Sequence, residues 1–138
     1  MKIGVAFASA LLAASSAALA APPKYISEDH SADALMDDAT AKALWAENLS
    51  LRLSKLYPVG KWGFASEVEG GFTSANNCVV TARAMMLPRS ARGLVFKPAK
   101  TTTTFDTIPG ASMAQCKDLS KRKLQEAIQA LTSALAPK

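Results

Sequence analysis

Glu28, Asp29 and His30 stand together, and Asp33 and Asp37 follow within a few residues. Carboxylate oxygens with an imidazole nitrogen are a donor set for a divalent cation. On a helix, Asp33 and Asp37 would share a face, because residues four apart are neighbours there. The same acids also suit an ordinary helix start, with Ser31 as the cap and the carboxylates complementing the positive end of the dipole. His30 is the only histidine and lies near the mature N-terminus, a poor place to build a catalytic triad. We therefore expect no metal site, no catalytic residues and no cofactor.

Two other groupings resolve the same way. Glu67 and Glu69 form a pair of carboxylates, but they occupy the polar parity of an alternating segment, where no pocket would perturb their protonation. Gly70-Gly71 lacks the helix start and the lysine of a phosphate-binding loop. The chain reads as non-enzymatic.

The charge pattern is more informative. No acidic residue occurs between Gly70 and Phe105, whereas Arg83, Arg89, Arg92, Lys97 and Lys100 all fall in that interval. They form a candidate partner-binding set for an anionic protein or envelope surface. Lys117, Lys121, Arg122 and Lys123 add a second basic cluster. Nucleic acid is not expected, because no aromatic platform accompanies the arginines. Trp45 and Trp62 read as residues of the core or its rim.

Cys78 and Cys116 are the only cysteines, with no CxxC, and the expectation is a disulfide between them. Cys78 opens the longest strand-like run, Asn77 to Leu87, with Val80, Ala82, Ala84 and Met86 on its parity. Cys116 falls on the apolar stripe of a C-terminal helix with Met113, Ser120, Leu124, Ala127, Leu131 and Leu135. Both sulfurs thus point into one layer. Ser112 to Gln115 has the form of a capping box for that helix.

The elements around these residues follow from periodicity. A helix is expected from Ser31 to Tyr57, striped by Leu35, Ala39, Ala46, Leu49, Leu53 and Leu56 and ended by Pro58. Trp62 to Phe72 alternates as a strand with Trp62, Phe64, Val68 and Phe72 inward. If Phe72 faces Cys78, then Val68 meets Ala82, Phe64 meets Met86, and Glu67 meets Arg83 on the outer face. A one-residue slip would bury Glu67. Pro88 to Gly93 reads as a turn, and Leu94 to Phe105 as a third, edge strand bulged near Pro98.

Lys2, the apolar run to Leu12 and Ala18-Leu19-Ala20 have the form of a secretory signal peptide cleaved near Ala20. No other stretch could span a membrane. The organisation is therefore residues 1–20 signal peptide, 21–30 flexible lead-in, and 31–138 a single α+β domain. Its fold is a two-layer sandwich in the order helix, three-stranded antiparallel meander, helix, with both helices on one sheet face. Export to the periplasm or the medium agrees with the disulfide. Tyr57-Pro58 and Phe105-Asp106 resemble the TonB and TolA C-terminal domains over those two dipeptides, and no function is transferred from them. The function expected is a small exported protein binding a protein or an anionic envelope component. The alternative is a secreted hydrolase inhibitor acting through the Arg89–Arg92 loop. The Lys97 to Thr104 edge offers a route to a homodimer.

Overall fold

The computed structural model describes Ala21 and residues 23–138; the signal-peptide segment lies outside the described residues. The chain is α+β, with a curled, mixed sheet. β1 (Ser27–Asp29) runs parallel to β2 (Trp62–Phe72), which is antiparallel to β3 (Cys78–Ser90). β3 then pairs antiparallel with β4 (Gly93–Leu94) at its far end and with β5 (Lys100–Ile108) along most of its length. The helices are α1 (Asp38–Asn48), α2 (Leu51–Leu56) and α3 (Met113–Leu135).

The three-stranded meander is thus corrected to a mixed sheet, and the reason lies in the segment read as a lead-in. Ser66 sits on the inner parity of β2 and is fully buried, so its hydroxyl needs a partner. Asp29 supplies it, its Oδ1 accepting from Ser66 at 2.8 Å and from Ser31 at 2.7 Å. The Ser31 hydroxyl accepts in turn from the Val68 N–H at 2.8 Å. Residues 27–32 are therefore bound along β2, with His30 and Ala32 donating N–H bonds to Ser66 and Val68 carbonyls. Ser31 ties a strand end and does not cap a helix.

The first helix starts later and is broken. Asp37 is its N-cap, accepting from the Thr40 N–H at 2.7 Å. Ser50 caps a second helix by accepting from the Leu53 N–H at 3.1 Å, so the chain turns at Leu49–Ser50. The new geometry buries Leu35, Met36, Ala41, Leu44, Trp45, Leu49 and Leu53. Ala39, Ala46 and Leu56 are exposed, because the stripe drawn through them assumed one continuous helix.

One core lies between the sheet and the helices. Phe64, Val68, Cys78, Val80, Ala82, Ala84 and Met86 face Trp45, Leu53, Leu119, Leu124, Ile128 and Leu131. Cys78 and Cys116 are disulfide-bonded across this layer, with Cα atoms 5.7 Å apart. Trp45 stacks on Phe64 at 4.9 Å, and Tyr25 meets the same ring edge-on. The Tyr25 hydroxyl donates to the Tyr57 carbonyl, and burial pushes its phenol pKa up. The Ser112/Gln115 capping box is formed at the start of α3. Met113, placed on the apolar stripe, is instead half exposed at the first turn. No helix among the described residues is long and apolar enough to cross a membrane.

Candidate binding surface on the basic hairpin

Of the acidic N-terminal grouping, Asp33 and Asp37 line one cleft, whereas Glu28, Asp29 and His30 do not line it. Asp37 is occupied as a helix cap, with the Thr40 N–H and hydroxyl holding its carboxyl below the ordinary range. His30 contacts Glu28 at 3.3 Å and meets Phe96 edge-on at 5.1 Å. No cluster of three or more metal-ligating side chains occurs among the described residues.

The five basic residues separate by role. Arg83 reaches Glu67 at 3.1 Å on the outer face, in the register that parity requires. Arg89 donates from a guanidinium nitrogen to the Val59 carbonyl at 2.9 Å, and its backbone N–H bonds the Lys61 carbonyl. Both are committed to holding the sheet and the base of the hairpin. Arg92, Lys97 and Lys100 are exposed and form no ion pair among the described residues.

The turn carrying Arg92 is internally braced. The Ser90 hydroxyl donates to the Gly93 carbonyl at 3.2 Å and accepts from the Arg92 N–H at 3.2 Å. Gly93 adopts φ 131°, a backbone conformation a side chain would resist. Leu94 then folds over the outer face of the sheet, packing with Ala65, Met85 and Leu87. A Cβ on Gly63 would fall 2.4 Å from Leu94 and 2.9 Å from the Ile26 carbonyl oxygen, so glycine there lets both approach.

Past Leu94 the chain bulges away from β3, to which the Val95 and Ala99 N–H groups still donate at the Pro88 and Met86 carbonyls. The single third strand is corrected to two, β4 and β5, separated by residues 95–99 around Pro98. Proline has no N–H to give the ladder, and the parity of Leu94 conflicts with that of Phe105 across it. Val95 and Phe96 are left 44% and 58% exposed between Arg92, Lys97 and Lys100. Sequence reasoning missed this apolar pair because it assigned Phe96 to the strand. The parity conflict was the available signal.

On the helix, Lys123 is drawn to Glu126 at 2.7 Å and Asp106 at 3.7 Å, and Glu126 raises its pKa. Lys117 and Lys121 border a cleft of about 200 Å³ shared with Asp33, Asp37 and Asp118. That second cluster is therefore partly neutralised by its own surroundings.

No family model matches the chain, and no curated protein matches it. Among solved structures, it is similar to the PelC dodecamer from Paraburkholderia phytofirmans, at 12% identity and a TM-score of 0.47. That match covers 82% of this chain and 91% of the other. It is also similar to a presumed lipoprotein from Caulobacter crescentus, at 15% identity and a TM-score of 0.34, over 80% and 87% of the two chains.

Proposed function

We propose that this is a small exported, non-enzymatic protein that binds an anionic protein or envelope component through the hairpin between β3 and β5. The observation that carries the reading is the exposed Val95–Phe96 pair set among Arg92, Lys97 and Lys100 on a braced turn. Cations give attraction to an anionic surface, and an aromatic gives contact area at low entropic cost. Export is supported by the leader-like N-terminus and by the disulfide, a bond favoured in oxidising compartments. The non-enzymatic part of the proposal draws on the structural use of two of the acidic residues, Asp37 as a helix cap and Asp29 as the acceptor for Ser66 and Ser31.

The test is binding of the mature, oxidised protein to an envelope extract across a salt series, beside an Arg92→Glu/Lys97→Glu variant. Retention that falls with salt and is lost in the variant is the expected result. Equal retention by both proteins refutes the role of the hairpin. Arg89 is left intact, since its contact with Val59 would confound the comparison.

The braced turn also favours a second reading, a hydrolase inhibitor that inserts residues 89–92 into an active site. Rigid loops lose little entropy on binding. Stoichiometric inhibition that disappears when this turn is shortened distinguishes it.

A further inference from the structure

We infer that the free edge of β5 is an interface between two copies of this chain, joined antiparallel about a two-fold axis at Thr103. Among the described residues β5 pairs only with β3, so the other side of its backbone is open. Open edges in monomers are usually blunted by proline, inward charges, bulges or very short strands. Here β5 is nine residues long, its charges Lys100 and Asp106 lie towards its ends, and the run Thr101 to Phe105 between them contains none of those devices. The strand is also held in place for pairing. On its inner face, the Thr102 and Thr104 hydroxyls donate at 2.6 Å to the α3 carbonyls of Ala127 and Lys123.

The ends of this run select a second copy and fix the register. A two-fold axis normal to the sheet pairs residues of like parity. Centred on Thr103, it sets Lys100 opposite Asp106 of the other copy, twice over, and both charges are exposed. Thr102 then meets Thr104, and Phe105 lies over Thr101 on the outer face. Phe105 is 78% exposed in the single chain, more than any other large apolar residue described. Moving the axis by one residue either way leaves both charges opposite uncharged side chains. The register is thus self-complementary only at Thr103, and opposed charges across strands are favourable where like charges are not.

The test combines sedimentation equilibrium with charge exchange on the mature, oxidised protein. Wild type is expected to dimerise. Lys100→Asp and Asp106→Lys each set like charges opposite one another and raise the dissociation constant by roughly tenfold. The Lys100→Asp/Asp106→Lys double variant restores it. Because Asp106 also accepts from the Thr107 N–H and lies 3.7 Å from Lys123, the thermal midpoint of each variant is read beside its mass. A short thiol cross-linker should join two chains carrying Thr103→Cys and leave chains carrying Thr107→Cys unjoined. A monomer at every concentration overturns the inference. So does a dimer that ignores the single charge reversals, or one in which Thr107→Cys chains are joined in preference to Thr103→Cys chains.

Discussion

Cys78 and Phe72 are cross-strand partners at the end of the β2–β3 ladder, and Cys78 is also the point where α3 is covalently tied to the sheet. The disulfide therefore fixes the hairpin turn of residues 73–77 and the first turns of α3 to one place in the core. With a sequence separation of 38, the chain-entropy model assigns the crosslink roughly 4 kcal/mol. Cys78→Ala/Cys116→Ala should lower the urea-unfolding free energy by about that amount, on the order of 2–4 kcal/mol after relaxation. A loss under about 1 kcal/mol would show that the pair adds little to folding.

Gly70 is a backbone requirement. Its φ is 135°, and a Cβ would lie 1.9 Å from the Val79 carbonyl oxygen across the ladder. Gly70→Ala should destabilise by about 3 kcal/mol, since strain and the clash act together. Gly60, where a Cβ would meet nothing within 4 Å, is the control, and Gly60→Ala should move the denaturant midpoint little.

Acid should loosen the start of α1 through Asp37. Its pKa is lowered in the folded state by the bonds from Thr40, so the folded form binds the proton less readily than the unfolded form. The stabilisation is complete above about pH 4, the ordinary aspartate value, and is lost as pH falls through the depressed native value. Asp37→Asn keeps a capping side chain and removes the titration. Its thermal midpoint should fall less steeply than wild type below about pH 4. Parallel curves would remove Asp37 from the account.

The threonine-to-helix bonds give a sharper result than propensity alone. Thr102→Val and Thr104→Val preserve shape and β preference but delete hydroxyls that reach α3 carbonyls. Each should cost about 1 kcal/mol, the net value of one hydrogen bond. Thr103→Val, on the outer face and exposed in the single chain, deletes no such bond and should be nearly neutral by the same assay run at a concentration where the chain is monomeric.

Much of this architecture could be read from the residues, and what could not has a physical cause. The β2–β3 register followed from the alternation of Phe64 and Val68 and from the Glu67–Arg83 pair, because a one-residue slip inverts a whole face, although Phe72, also read as inward, is exposed at the strand end. The α3 cap followed from Ser112 and Gln115, whose bonds are local. β1 was not legible, because its reason for existing is the buried Ser66 hydroxyl, 37 positions away from Asp29. The break at Ser50 was hidden by leucines that fit either one helix or two. On the hairpin, the cations could be found from charge alone. The commitment of Arg83 to Glu67 followed from the same register, but that of Arg89 to the Val59 carbonyl, 30 positions away, did not.

The most direct measurement places a photo-reactive phenylalanine analogue at Phe96 and, in a second protein, at Leu56 on α2, which is similarly exposed at 54%. Both are irradiated in an envelope extract. The account predicts a discrete cross-linked partner from position 96, lost when Arg92 and Lys97 are replaced by glutamate, and none from position 56. Cross-links from position 56 alone, or equal yields from both sites, would contradict the assignment of binding to the basic hairpin.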